Sequence, residues 1–268
     1  MVSYGCGFDD VTPFRRVEVV LLRHAYIKHH TRAYLPITYR YVQPWGICLS
    51  ASCVTIICMD PTADNVTRLI AHINALGLEP KEEERKWGHM GALITDAALQ
   101  PRTNYQTTVW PRANKVWREW PDADTLSGFL KRLDAEDLPS FLKWRRSSPK
   151  LPKIQHTAMA LDELGVETVA DLATRFRDPV LEAETRKTLR RVKHVGPKTL
   201  DYIAILTGSN NHVAVDQHVQ AFVADAGVPG LDYDSIGSLV KATADEMGFS
   251  PGALDAAIWN HMSTRGKA

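Results

Sequence analysis

A lysine and an aspartate stand eighteen residues apart in this sequence, each at the start of a predicted helix. Lys198 follows the turn His194-Val195-Gly196-Pro197, and Asp216 opens a later helix. Pro197 has no N–H and Gly196 tolerates positive φ, so the turn must end the preceding helix. A neutral lysine amine is a nucleophile, and a buried carboxylate can stabilise positive charge that develops beside it. The simpler alternatives are a phosphate-binding surface lysine and an aspartate that only caps its helix.

A basic helix end, the tight turn and a second helix must position the lysine. The stretch from Thr185 to Lys198 holds six Lys or Arg and no acid, and residues 141–153 hold five and again no acid. The backbone N–H groups at the start of the second helix suit a phosphate. Because the net charge of the chain is only +1, these local runs favour a DNA footprint over an ordinary solvated face.

The turn and the segment after it resemble the helix-hairpin-helix signature of the HhH-GPD superfamily of DNA glycosylases, in its endonuclease III-like branch. That family's hairpin reads roughly Leu-Pro-Gly-Val-Gly-x-Lys-Thr-Ala, and an extended Val-x-Val-Asp-x-His segment follows. The matching residues are Val195, Gly196, Lys198, Thr199, Val213, Val215, Asp216 and His218. Lys193 and His194 depart from the pattern, in place of the proline and the first glycine. A bare hairpin is widespread, but its combination with the lysine and the Val-Asp-x-His segment is specific.

The resemblance implies an all-α, two-lobed helical glycosylase fold. Residues 59–86 and 209–268 would form one lobe, and residues 87–208 would form the helical barrel lobe that ends in the helix-hairpin-helix at 186–207. The resemblance covers roughly residue 59 to the end, although the sharp matches are confined to 189–222. Residues 1–58 are expected to be a short extension of uncertain structure, either disordered or the product of an over-extended gene start, with β-branched stretches at 17–22 and 47–58 that favour strands.

Apolar periodicity after Trp87 predicts helices only. One helix is expected over 105–117, interrupted at Pro111, and another over 135–144. The spacing of Trp110, Trp117 and Trp120 predicts a buried aromatic seam in the core.

The activity implied by the resemblance is that of a DNA glycosylase of base excision repair. Such an enzyme flips a damaged, mismatched or modified base out of double-stranded DNA into an interlobe pocket. The carboxylate of Asp216 would stabilise positive charge on the sugar as the glycosidic bond breaks. Related monofunctional enzymes lack a lysine at the position of Lys198, so its presence implies an abasic-site β-lyase that works through a Schiff base.

The predicted DNA contacts gather around the hairpin and one other helix end. Gln100 and Arg102 follow the apolar helix 90–99, where a glutamine of the resembling family enters the space left by the extruded base. An ordinary helix end is the alternative interpretation. The remaining predicted DNA-binding residues are Arg190, Arg191, Lys193, Val195, Gly196, Pro197, Thr199 and His218.

Cysteine content excludes one cofactor of the family. Cys6, Cys48, Cys53 and Cys58 are the only cysteines, so the C-terminal four-cysteine iron–sulfur cluster of many relatives cannot form. No metal and no cofactor are expected, apart from a candidate monovalent cation that bridges the hairpin to a DNA phosphate. The longest apolar run, residues 47–59, is too short to span a bilayer. A cytoplasmic, nucleoid-associated monomer that binds no membrane is therefore expected.

Two other functions compete with this prediction. A non-catalytic DNA-binding protein could use the hairpin alone, and a glycosylase-fold enzyme could modify bases in phage DNA with the same lysine and aspartate. The sequence does not name the base that is removed or modified, since pocket residues come from several helices.

Overall fold

Helices form all the regular structure of the described chain. The computed structural model describes residues 61–82 and 85–265, and within these it has no strand, only an isolated bridge between Lys86 and Thr207. The all-α class is therefore confirmed there, while the strands expected in residues 1–58 lie outside the described residues. Contacts divide the chain between Met59 and Asp60, and all the described residues belong to the second unit. The α-helices of this unit are α1 (Pro61–Ala75), α2 (Met90–Leu99), α3 (Trp110–Glu119), α4 (Leu126–Ala135), α5 (Leu138–Phe141), α6 (Lys150–Asp162), α7 (Val169–Arg177), α8 (Pro179–Leu189), α9 (Pro197–Leu206), α10 (Gln217–Asp225), α11 (Tyr233–Met247) and α12 (Pro251–Thr264).

Apolar side chains gather into two clusters. The first surrounds α2, whose ten residues are all buried, and draws on helices α3 to α9. In the second cluster, α1 packs with the three last helices, α10, α11 and α12, around the fully buried Phe222. The chain crosses from the second cluster to the first between α1 and α2, and it returns in the segment after α9. These crossings lie close to the predicted lobe boundaries, and the division into lobes stays a prediction.

A buried polar network joins the two clusters. Arg186 on α8 donates from Nη2 to Asp201 Oδ1 on α9 at 2.5 Å, and Tyr233 on α11 donates its hydroxyl to Asp201 Oδ2 at 2.5 Å. Glu182 accepts from Arg186 Nε and lies 3.0 Å from Nε2 of His212. Arg186, the first residue of the predicted basic helix end, therefore faces the interior and not a ligand surface.

The hairpin takes its sharp turn at His194. α8 ends at Leu189, and His194 has a φ of 68°, in the left-handed region that favours glycine. Gly196 has extended backbone, with φ −110° and ψ −179°, so the expectation that its conformational freedom shapes the turn is wrong. A Cβ on Gly196 would meet no heavy atom within 4 Å. The positive φ of the turn therefore lies at His194 and not at Gly196.

Two of the three tryptophans of the predicted seam are exposed. Trp120 is 2% exposed and its ring stacks on Phe141 at 3.9 Å, but Trp110 and Trp117 are 45% and 51% exposed. The two lie seven residues apart on the same face of α3, and the buried residues of this helix are Ala113 and Val116. The proposed seam is therefore wrong for two of its members.

Two predicted helices differ in extent. The helix expected over 105–117 begins as one π-helical turn, Tyr105–Val109, and continues as α3. The helix expected over 135–144 is wrong in length, because only the single turn α5 forms and Lys143 then adopts a φ of 49°. Helix propensity alone does not predict where these two helices are interrupted or end.

The strained turn generates a stability prediction. We expect His194→Gly to stabilise the protein by up to about 1 kcal/mol, since an L-residue in the left-handed region costs roughly 1–2 kcal/mol and glycine's larger unfolded-state entropy offsets part of the gain. Urea unfolding of both proteins measures the difference. Arg190→Gly is the matched control, because Arg190 has helical backbone and glycine there should destabilise. Equal destabilisation by both substitutions would contradict the strain at His194.

Candidate functional site

The predicted catalytic residues Lys198 and Asp216 line one pocket of about 420 Å³. Its walls come from both apolar clusters: the segment before α2, the start of α9, the segment before α10, and α12. Much of the lining is aromatic, and its members are Trp87, Tyr105, Trp110, Tyr202 and Trp259. A concave, aromatic site with a few convergent polar groups is the usual setting for a planar ligand.

The amine of Lys198 contacts two polar side chains in the pocket, those of Asp216 and Gln100. Its Nζ lies 3.5 Å from Asp216 Oδ2 and donates to Gln100 Oε1 at 3.0 Å. The side chain of Lys198 is 28% exposed and that of Asp216 is 10% exposed. Gln100, at the C-cap of α2, therefore gives the amine a second partner besides the carboxylate.

Asp216 has two roles, divided between its two oxygens. Oδ1 caps α10 by accepting from the backbone N–H groups of His218 at 2.8 Å and Val219 at 3.1 Å. Oδ2 is the atom that faces Lys198. The buried residues Val213 and Val215 anchor the preceding segment in the second cluster. The helix cap thus fixes the carboxylate in an orientation that leaves one oxygen directed at the lysine.

Asp96 forms a buried polar floor that sequence reasoning missed. Its Oδ2 accepts from Trp87 Nε1 at 2.9 Å and from the Tyr105 hydroxyl at 3.2 Å, and its Oδ1 accepts from the Tyr202 hydroxyl at 3.0 Å. Burial raises the pKa of Asp96 to about 6, although the three donors oppose the shift. Burial, followed by the charge of Asp96, raises the pKa of Tyr202 well above its ordinary value. A lone aspartate inside the apolar run 90–99 was the available signal.

Sequence reasoning also missed the ion pair of Arg85 and Asp255, which lines the same pocket. Arg85 Nη2 donates to Asp255 Oδ2 at 2.9 Å and to the carbonyl of Gly252 at 3.1 Å. Asp255 is 3% exposed. Its burial raises the pKa to about 6; Arg85 opposes that shift, and the charge of Asp216 adds to it. The pairing crosses 170 residues of sequence, so no local pattern could indicate it.

The basic run 141–153 is turned partly inward. Lys150 Nζ donates to the carbonyls of Leu99 at 2.5 Å and Pro101 at 2.7 Å, where it caps the end of α2. Lys153 is 4% exposed, and its Nζ lies 3.4 Å from Thr199 Oγ1. Burial lowers the pKa of Lys153 to about 8, and the charges of Lys150 and Lys198 add to the shift. The expectation that this run forms a phosphate-binding face is therefore wrong for these two lysines.

The other predicted contact residues are scattered. Arg102 is exposed, with a φ of 56°, and does not line the pocket, whereas Gln100 does. The ring of His218 packs edge-on against Trp259, with centroids 6.4 Å apart. Arg191 pairs with Glu163 at 2.5 Å. Of the predicted hairpin contacts, Gly196 is half-buried, Val195 and Thr199 are buried, and the exposed residues are Arg190, Arg191, Lys193 and Pro197.

Comparisons with known proteins extend over part of the site. Residues 145–263 match the family described as a domain of unknown function (DUF8548), a stretch that contains the hairpin, Lys198 and Asp216. No curated protein and no solved structure matches the chain. In residues 61–82 and 85–265, no group of three or more His, Cys, Asp or Glu is placed to hold a metal ion. Over the same ranges, no helix is long and apolar enough to cross a membrane.

The buried lysine generates a prediction about pH. Because the pKa of Lys153 falls from 10.5 to about 8 on folding, the unfolded chain binds more protons between these values, and stability should rise with pH across that window. Lys153→Met removes the buried charge, so we expect it to stabilise the protein at pH 7 by roughly 1–3 kcal/mol and to flatten the rise. Urea unfolding at pH 7 and at higher pH measures both effects.

The control for that experiment is Lys187→Met, at an exposed position on α8. It should change neither the stability at pH 7 nor its pH dependence by more than about 0.5 kcal/mol. If Lys153→Met destabilised the protein at pH 7, the amine would contribute more through its contacts than its burial costs.

Proposed function

We propose that this protein is a DNA glycosylase with abasic-site lyase activity, of the helix-hairpin-helix kind. The observation that carries the proposal is the approach of Lys198 Nζ to Asp216 Oδ2, at 3.5 Å, on the wall of an aromatic pocket of about 420 Å³. A nucleophile and a carboxylate beside a cavity for a planar ring are what removal of an extruded base requires. Pockets of several hundred Å³ suit ligands of this size.

The chemistry divides between the two residues. As the bond from sugar C1′ to the base breaks, the base leaves with the bonding electrons, and the carboxylate of Asp216 stabilises the positive charge left on the sugar. Lys198 must lose a proton before it can attack, and the carboxylate oxygen at 3.5 Å is placed to accept it. The amine then forms a bond to C1′, and its remaining extra proton passes to the ring oxygen O4′. The nitrogen lone pair expels O4′ as a hydroxyl group, which opens the sugar ring and leaves a protonated Schiff base. Loss of the C2′ proton and departure of the 3′ phosphate complete the β-elimination.

The start of α9 in the hairpin supports the proposed binding of a DNA phosphate. The amides of Gly196, Lys198 and Thr199 precede the first hydrogen bond within α9, from Leu200 N to Gly196 O. Among residues 61–82 and 85–265 no side-chain cap bond is made at this end, and the space beside Gly196 Cα is open. The positive end of a helix with unpaired amides suits a phosphate. Arg190 and Lys193 are exposed beside it, and they would supply the salt-sensitive part of affinity.

Borohydride trapping on an abasic-site duplex tests the proposal. Wild-type protein should give a covalent adduct, and Lys198→Ala should abolish it, whereas Lys187→Ala, on the exposed face of α8, should leave it intact. On a duplex that the enzyme processes, Asp216→Asn should slow base release by about a hundredfold or more, because an amide stabilises the sugar cation poorly. Its melting temperature should hold, since asparagine also caps a helix.

The outcomes separate the competing functions. Undiminished trapping by Lys198→Ala would remove this lysine from the proposal. DNA binding without an adduct from any substrate would favour a non-catalytic hairpin protein. A product whose mass shows an altered base that stays joined to its sugar would favour base modification.

A salt series tests the proposed binding of a DNA phosphate. Arg190→Ala combined with Lys193→Ala should weaken binding to any duplex and lower the slope of log affinity against log salt by about two units, one for each contact. Gly196→Ala should fold as wild type, since its backbone is extended and its Cβ would meet nothing, yet bind less tightly because it obstructs the phosphate. Fluorescence anisotropy measures both. Arg132→Ala, whose arginine pairs with Asp122, is the control, and a wild-type slope in the double variant would show that this end does not face DNA.

A further inference from the structure

Arg85 and Gln100 keep unpaired hydrogen-bond donors in the pocket, and the side-chain amide of Asn260, which also lines it, offers both a donor and an acceptor. Arg85 uses only Nη2, towards Asp255 and Gly252, and its Nε and Nη1 have no partner among residues 61–82 and 85–265. The Oε1 of Gln100 accepts from Lys198, which leaves the amide NH₂ of Gln100 without a partner in the same part of the chain. Both side chains line the pocket. A ligand in the pocket therefore meets free N–H donors of Arg85 and Gln100, which can bind acceptor groups on the ligand.

The carboxylates of the pocket are already engaged. Asp96 accepts on both oxygens, from Trp87, Tyr105 and Tyr202. Asp255 accepts from Arg85 and from the backbone of Ala214. Asp216 is held by its helix cap on one oxygen and faces Lys198 with the other. At Asp96 and Asp255 an amino group on a ligand would have to displace an existing donor, whereas a carbonyl group that binds elsewhere would not.

Arg85 is held firmly enough to discriminate between ligands. Its partner Asp255 is 3% exposed on α12, and the partly buried ion pair, with a second bond from the same nitrogen to Gly252, holds the guanidinium in place. Arg85 lines the same pocket as Tyr105 and Tyr202, and its charge opposes the rise in the pKa of both hydroxyls. The remaining N–H groups, on Nε and Nη1, are not parallel, so each can donate a single charge-assisted hydrogen bond to a carbonyl oxygen on a heterocycle.

We propose that Arg85, fixed by Asp255, selects nucleobases that present a ring carbonyl, such as guanine, hypoxanthine and uracil types, over those that present an amino group, such as adenine and cytosine types. This inference rests on the proposed function, because it takes the pocket to be the site of the extruded base. Arg85 determines specificity and has no part in the bond-breaking step.

The test compares two bases that differ at a single group. Hypoxanthine and adenine carry a carbonyl and an amino group at the same position. Each is placed in a duplex as the 2′-fluoroarabino nucleoside, which resists glycosidic cleavage, opposite a tetrahydrofuran spacer so that neither base is paired. Fluorescence anisotropy should show that wild-type protein binds the hypoxanthine duplex about tenfold more tightly, the discrimination expected of one hydrogen bond from a charged donor.

Two substitutions trace any preference to the arginine. Arg85→Lys keeps a positive charge against Asp255 but has no second nitrogen to donate to the ligand, so most of the preference should disappear while affinity for an undamaged duplex holds. Asp255→Asn weakens the hold on Arg85 and should reduce the preference as well. Arg132→Lys, outside the pocket, should retain it. Thermal melting of each variant identifies any that is misfolded, and the wild-type comparison stands without them.

The outcomes for the inference and for the proposed function are distinct. Equal binding of the two duplexes, or tighter binding of adenine, by a wild-type protein that forms the borohydride adduct would overturn the base selection alone. A preference that survives in a folded Arg85→Lys variant would also overturn it. Absence of an adduct on every duplex would overturn the glycosylase proposal, and absence of a preference in the same protein would overturn both.

Discussion

Burial of one carboxylate inside the apolar helix α2 constrains the whole pocket. Asp96 has no exposed surface, and an unsatisfied buried carboxylate would cost several kcal/mol. Its donors Trp87, Tyr105 and Tyr202 come from three other segments: the one before α2, the π-helical turn and α9. Because each donor must keep its position to satisfy Asp96, the rings that line the pocket are fixed together. The positions of Trp87, Tyr105 and Tyr202 in the site therefore follow from the need to hydrogen-bond the buried carboxyl group of Asp96.

The candidate catalytic pair depends on how the two apolar clusters meet. Lys198 belongs to α9 in the first cluster, and Asp216 opens α10 in the second. The short segment between them contains buried residues, and the pairs of Asp201 with Arg186 and Tyr233 lock α9 against α8 and α11. The distance of 3.5 Å between lysine and carboxylate thus depends on contacts outside the pocket. Substitutions in this network are therefore expected to change the distance between Lys198 and Asp216 although neither residue is altered.

Electrostatically unfavourable groups concentrate around the same pocket. Burial raises the pKa of Asp96 and of Asp255 and lowers that of Lys153. Each of these groups makes the folded state less stable than a well-packed apolar side chain would. Such a concentration is typical of functional sites, where charge placement outweighs stability. It supports a site for chemistry at this pocket, independently of any resemblance.

Local patterns were enough to predict the helical class, the hairpin, the position of Lys198 and the cap at Asp216. Turns, caps and amphipathic faces depend on residues within a few positions of one another, so the sequence determines them directly. Tertiary structure alone decided that His194 carries the positive φ, that Trp110 and Trp117 face outward, and that Gln100 holds Lys198. It also decided the placement of Asp96 opposite Tyr202 and of Arg85 opposite Asp255, pairs separated by 106 and 170 residues. Such contacts follow from the packing of whole helices against each other, which no spacing within a single element specifies.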